Sequence, residues 1–302
     1  MPFDAAQFRA MGTVVEVLAA PTLPEGRADH IARFFQSVEK RLSRFRPDSE
    51  ISRLNRSGGA PFRLSPLLRR VLSQALDAAR RSEGLYDPTI LDALEASGYD
   101  RPFHTLAKHP RRRGSPVPAR YQNVALLPGG SAVLRDGVRV DLGGFAKGWT
   151  VDAATRLMRD VPSWVINAGG DLRAAGPGPD GCGWLVGIED PWTPGNDIAV
   201  LRLRNQAVAT SSLWRRRWPT PEGWAHHLID PRSGRPANTG LAAVTVVAPT
   251  AAQAEVLTKT ILLLGPRDGL SYIESLPDCA AVLVTERGNM IWSRRTEDLR
   301  AA

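Results

Sequence analysis

The 302-residue chain reads as an α+β fold with a largely antiparallel sheet and packed helices. Three observations predict this. Short apolar strands alternate with helices but without the spacing of a βαβ repeat. The 27 glycines and 24 prolines favour many turns between short elements over a few long helices. Asp136-Gly137, set between two short apolar runs, carries the signal of a hairpin turn.

The elements follow in order. Residues 8–18 read as a strand, and residues 27–43 place Ile31, Phe34, Phe35, Val38 and Leu42 at helical spacing. A second helix has its start written at Ser65 as N-cap, with Pro66 in the first turn. Leu68, Val71, Leu72, Ala75 and Ala79 lie on one face, and Gly84 stands beyond the end. Residues 102–118 are polar, basic and proline-rich, which predicts an exposed excursion within a single domain spanning 8–300, not a linker. Strands are expected at 123–127, 131–135 and 138–142, the last two joined at Asp136-Gly137, and a helix at 145–160. Further strands fit 163–167, 183–189, 199–204 and 243–248, followed by a helix at 250–264 and a last helix and strands after Asp268.

Composition narrows the function classes. With 43% hydrophobic and 23% charged residues the chain is an ordinary globular sequence, neither disordered nor fibrous. A formal charge of +8 favours anionic partners. Only four of the 39 basic residues are lysine (Lys40, Lys108, Lys147 and Lys259), a skew that points to genome composition and not to nucleic-acid binding. Cys182 and Cys279 are far apart without metal-ligand spacing, so neither a disulfide framework nor a zinc site is indicated. The uncharged stretch 236–254 contains Asn238, Thr239, Thr245 and two prolines, so no membrane span is expected. The opening residues show neither an apolar signal run nor a lipid-attachment cysteine, and the expectation is a soluble, cytoplasmic protein.

Three segments can carry chemistry. In Asp141-Leu142-Gly143-Gly144-Phe145-Ala146-Lys147-Gly148 a strand ends, glycines turn the chain and a helix begins, an arrangement that attracts phosphate. A plain strand-to-helix turn explains the same residues. Asn167-Ala168-Gly169-Gly170-Asp171 follows an apolar strand and reads either as a ligand loop or as a hairpin turn. In the segment from Trp224 to Gly234, His227 can act as a base while Asp230 holds the turn or the imidazole; the alternative is a polar surface loop. Tyr86-Asp87-Pro88-Thr89 offers an aromatic beside a carboxylate, which a capped turn explains equally well, and Trp214-Arg215-Arg216-Arg217-Trp218 has the residue types of base stacking, although no nucleic-acid partner is expected.

The order and spacing of eight stretches make the chain resemble the FAD:protein FMN transferase (ApbE-type) family. They are MGT at 11–13, SRFRPDSEISRLNR at 43–56, GLYDPT at 84–89, DLGGFAKGWTVD at 141–152, NAGGD at 167–171, VATSS at 208–212, HLIDPRSGRP at 227–236 and AEVLTKTILLLG at 254–265. The resemblance implies an enzyme that cleaves FAD and joins FMN by a phosphoester to a Thr or Ser of an acceptor flavoprotein, releasing AMP. FAD pyrophosphatase activity and non-catalytic flavin binding are the alternatives. Matched position by position, FAD should meet Met11, Phe45, Leu85, Tyr86, Asp87, Asp141, Lys147 and Ile229, with His227 as general base.

The same resemblance implies Mg²⁺ held by the backbone carbonyl of Gly144 and by an Asp and a Thr one helical turn apart. Here those two positions are Glu255 and Lys259. An ammonium has donors and no lone pair, so Lys259 cannot ligate a cation. The expectation is that Lys259 takes over part of the metal's role, pairing with Glu255 and neutralising the diphosphate; the alternative is an ordinary Glu-Lys helix pair.

Overall fold

The alternation read over residues 8–18 belongs to two strands, because the chain reverses at Met11 and Gly12. Both residues have positive φ (53° and 72°), and Ala10 pairs with Thr13 across the two-residue loop. Two left-handed residues in succession match the right-handed twist of the flanking strands. The computed structural model describes residues 2–106, 117–221 and 223–301; residues 107–116 of the expected basic excursion lie outside the described residues.

The chain divides into two compact units. One comprises Met1–Val38, Lys147–Ser212 and Thr239–Ala302, the other Glu39–Ala146 and Leu213–Asn238. In the first, eight strands form one sheet in the spatial order Asp4–Ala10, Thr13–Ala20, Ser163–Ala168, Asp171–Ala175, Ala207–Ser212, Leu241–Ala248, Ala280–Thr285 and Met290–Trp292. Every neighbouring pair is antiparallel. The period of two along each strand sorts side chains to opposite faces. Val15, Val17, Trp164 and Ile166 pack with Ile31 and Phe35 of the helix Arg27–Leu42 and Val151 of the helix Ala146–Ala154. Ala20, Val165 and Val208 pack on the other face with Trp184, Ile188, Leu201 and Leu203 of the hairpin Trp184–Glu189/Asp197–Leu203. With both faces covered, Leu241–Ala248 is buried along its whole length and reads as an unbroken apolar run.

Gly169-Gly170 closes a second two-residue hairpin, with φ of 65° and 97° and Ala168 paired to Asp171. A Cβ at Gly169 would overlap the Thr13 hydroxyl. Gly169→Ala is therefore expected to destabilise the protein by about 1–3 kcal/mol through overpacking. A Thr13→Ala second change should recover part of that loss in urea titration, and no recovery would place the effect in the backbone alone.

The second unit holds the helix Pro66–Arg81, begun as expected by Ser65, whose hydroxyl accepts the Leu68 N–H. It also holds three small sheets: Phe62–Arg63 with Ser131–Leu134 and Val124–Leu126, Arg217–Thr220 with Gly223–His226, and Ile229–Asp230 with Arg235–Pro236. The hairpin expected at Asp136-Gly137 is not formed. Ser131–Leu134 instead pairs back with Val124–Leu126 across Pro128–Gly130, and residues 138–142 lie outside any sheet. The Asn55 side chain explains this: its amide donates to the Val140 carbonyl at 2.8 Å and its oxygen accepts the Val140 N–H at 2.7 Å, replacing a partner strand. The helix expected at 250–264 continues as Ala251–Glu274, broken at Gly265 (φ 80°) just before Pro266. Among the described residues, no helix is long and apolar enough to cross a membrane.

Candidate functional site

In the first unit four charged side chains converge from three elements. Lys147 lies in the first turn of Ala146–Ala154, Asp171 opens its strand directly after the Gly169-Gly170 turn, and Glu255 and Lys259 share one face of Ala251–Glu274. The Lys147 ammonium donates to Asp171 Oδ2 and to Glu255 Oε1, the latter at 3.1 Å. Glu255 Oε2 accepts the Gly148 N–H at 3.0 Å. Lys259 Nζ donates to the Glu255 backbone carbonyl at 2.9 Å and stands 3.6 Å from Glu255 Oε1.

Backbone geometry makes this convergence possible. A Cβ at Gly148 would come within 2.6 Å of the Ala251 carbonyl carbon and oxygen, so only glycine lets the two helices approach this closely. Asp152, one turn along, accepts the Ala251 and Ala252 N–H groups at 2.9 Å each, and so satisfies the start of the second helix. The charges respond to their burial. Burial pushes the Asp171 carboxyl up to about 6 despite the opposing Lys147 ammonium. Glu255 is equally desolvated, but Lys147 and Lys259 outweigh that and hold it below its ordinary value. Burial draws Lys259 down, and the two carboxylates only partly restore it.

A divalent cation at Glu255 does not fit this arrangement. Both carboxylate oxygens already meet N–H donors, Lys259 offers no lone pair, and hard cations need six or more oxygen ligands. Among the described residues, no group of three or more His, Cys, Asp or Glu could hold a metal ion.

The second unit carries the remaining expected residues. Phe45 packs against a buried cluster containing Tyr99, Trp218 and Ile229. Its ring lies 5.8 Å from that of Tyr99, which in turn lies 5.4 Å from Trp218. The Arg44 guanidinium sits over Phe45 and Tyr99, at 4.1 and 4.7 Å from the ring centroids, and 3.8 Å from Asp141 Oδ1. Arg44 and Asp171 both fall within the motifs, but nothing in the sequence marked them, since neither role exists before the fold brings their partners together. The Trp218 indole is buried and donates to the Ser97 carbonyl, so it is not a ring offered to nucleic-acid bases.

Asp87 is buried, with Oδ1 accepting the Thr89 N–H and hydroxyl and Oδ2 accepting the Tyr121 N–H. Burial raises its pKa even against those bonds. The carboxylate therefore fixes the Leu85-Tyr86-Asp87 turn from inside. Tyr86 is buried 6.1 Å from Phe145, and Leu85 is half-buried. Asp141 Oδ1 accepts the Gly143 N–H at 3.0 Å and so shapes the turn carrying Gly144. Met11 stands in its hairpin turn, packed on the core of the first unit.

The adjacent histidines separate cleanly. His226 is buried, its Nε2 faces the Ala237 carbonyl at 3.0 Å and its Nδ1 accepts the Leu228 N–H at 3.3 Å, so the proton resides on Nε2 and the ring is structural. His227 presents its other ring nitrogen to a carbonyl. Its Nδ1 faces the Arg216 carbonyl at 3.3 Å, an atom that only accepts, so a hydrogen bond there puts a proton on Nδ1. Of the two roles open to Asp230, the structure shows the turn: it pairs with the Arg232 guanidinium and accepts the Arg232 N–H.

Burial lowers the His226 pKa below 6.5. The unfolded chain therefore binds this proton more readily, and the stability His226 confers is complete above pH 6.5 and declines as pH falls below it. Melting temperatures measured from pH 8 to pH 5 should drop more steeply for the native chain than for His226→Gln.

The ApbE family model matches residues 11–283. The chain belongs to the ApbE family. Among curated proteins of this family, the FAD:protein FMN transferase of Vibrio cholerae serotype O1 is 26% identical over 284 residues, covering 88% of this chain and 82% of the relative. That of Treponema pallidum is 27% identical over 280 residues, covering 85% and 76%. The ApbE protein of Thermotoga maritima superposes with a TM-score of 0.87 at 23% identity, covering the whole of both chains. The flavinyl transferase ApbE of Pseudomonas stutzeri in its apo form gives 0.82 at 23% identity, over 99% and 98% of the two chains. At these identities the structural likeness concerns the fold, and it bears out the α+β, antiparallel reading.

Proposed function

We propose that this chain is an FAD:protein FMN transferase, which moves FMN from FAD to a Thr or Ser hydroxyl of an acceptor flavoprotein. The observation that carries the reading is the contact of His227 Nδ1 with the Arg216 carbonyl, which turns Nε2 toward the role of base, in a chain whose relatives bear that activity in their names. The acceptor hydroxyl attacks the FMN-side phosphorus, its proton passes to His227 Nε2, and the bond to the AMP phosphate breaks. Charge grows on the phosphoryl oxygens in such a step, and fixed cations serve to spread it.

Each expected FAD residue has a role consistent with this reading. Phe45, half-buried beneath the Arg44 guanidinium, offers a flat, polarisable ring suited to an isoalloxazine, with buried Tyr99 and Ile229 packed behind it. In the second unit the Leu85-Tyr86-Asp87 and Asp141-Leu142-Gly143-Gly144 turns supply backbone edges; in the first, Lys147 supplies an ammonium suited to phosphate and Met11 a thioether.

Incubation with FAD and an acceptor protein, followed by intact mass spectrometry, tests the proposal. The expected result is a mass gain of one FMN minus water on the acceptor, with an equal amount of AMP. AMP without acceptor labelling would assign the chain to FAD hydrolysis, and FAD binding without AMP to flavin storage.

A further inference from the structure

We propose that the Lys259 ammonium replaces the divalent cation in this chain, so that the diphosphate is neutralised by covalently attached ammonium groups and flavin transfer needs no metal. The inference rests on the reading of the protein as an FAD-cleaving transferase.

The charge balance of the cluster supports it. Lys147 and Lys259 face Asp171 and Glu255, two positive groups against two negative, all with little access to solvent. A divalent ion entering here would set four positive charges against two negative in a site poor in water, where like charges repel strongly. The donor set opposes it as well. The Glu255 backbone carbonyl already accepts both the Thr258 hydroxyl and the Lys259 ammonium, each at 2.9 Å. The Thr258 hydroxyl is in turn 2.7 Å from that of Ser211.

The orientation of the cluster also suits an anion. The lysine side chains retain 17% and 18% of their exposure, against 5% and 3% for Asp171 and Glu255. The lysine side chains are thus the more accessible members of the cluster, and the more deeply buried carboxylates hold their ammonium groups in place. A diphosphate approaching from solvent meets the lysine side chains before the carboxylates. The i, i+4 spacing of Glu255 and Lys259 on one helix fixes this order, because the shorter side chain anchors the longer one along the same face.

The test uses full-length protein stripped with EDTA. Three results are expected. Calorimetric titration with Mg²⁺, with and without FAD, shows no saturable uptake. FAD binding, read by quenching of flavin fluorescence, is the same in EDTA as in Mg²⁺. FMN transfer in EDTA proceeds within about twofold of its rate in Mg²⁺. Lys259→Thr should weaken FAD binding in EDTA by at least about tenfold, as expected for loss of a desolvated charge partner, while Lys259→Arg retains most of it.

Stoichiometric Mg²⁺ uptake, or FAD binding or transfer lost in EDTA and restored by Mg²⁺ alone, would overturn the proposal. If no FMN is transferred under either condition, the functional reading fails, but the Mg²⁺ titration and FAD binding of the unmodified chain still decide the role of Lys259. They also decide it if Lys259→Thr does not fold.

Discussion

Replacing His227 by asparagine is expected to slow FMN transfer by about 10²- to 10⁴-fold, the contribution of a positioned general base, with FAD affinity nearly unchanged. The substitution is chosen for its geometry. An asparagine amide can still donate to the Arg216 carbonyl that His227 Nδ1 faces, so the hairpin keeps its contact while the basic nitrogen is lost. Single-turnover AMP release with acceptor present, alongside FAD binding, separates the chemical step from recognition. His226→Asn is the companion measurement. Both nitrogens of that ring are engaged by Ala237 and Leu228, so it should lower the melting temperature and leave the rate per folded molecule close to native. An unchanged rate in His227→Asn would remove this residue from the reaction.

The second large effect is on stability. Lys147→Met removes the ammonium that bonds both Asp171 and Glu255, leaving two buried carboxylates with Lys259 as the remaining cation. Truncating one partner of a buried ion cluster costs about 3–5 kcal/mol, because the groups left behind stay desolvated and unmatched. Urea unfolding should show a loss of this size. The double variant Lys147→Met/Asp171→Asn removes one charge of each sign and should regain roughly half of the loss. No regain would mean that the lysine acts through the packing of its stem and not through its charge.

Much of the fold was legible because its signals are local. Ser65 and Pro66 mark a helix start whatever the rest of the chain does, and the apolar runs within residues 163–167 and 243–248 follow from a sheet covered on both faces. The errors arose where a distant residue decides. Residues 138–142 look like a strand, but Asn55 takes the hydrogen bonds of Val140 that a neighbouring strand would have claimed. Residues 8–18 look like a single strand because a turn built on Met11-Gly12 leaves the apolar alternation almost uninterrupted.

The candidate site divides in the same way. Glu255 and Lys259 could be paired from their spacing along one helix. Asp171 could not be tied to Lys147, because their meeting depends on a hairpin turn and on a glycine-tight helix crossing more than a hundred residues from Glu255 in sequence. Likewise the two neighbouring histidines are equivalent on paper, and only the groups beside their rings tell them apart.

The chain path through the two units bears on how the protein is made. The second unit is complete once residue 238 has been synthesised, whereas the eight-stranded sheet still awaits Leu241–Ala248, Ala280–Thr285 and Met290–Trp292. During translation the Ala207–Ser212 strand is therefore a bare edge, open to pairing with another nascent chain until the next apolar strand leaves the ribosome. Vectorial synthesis thus finishes the inserted unit first, and places the period of greatest aggregation risk within the last quarter of elongation.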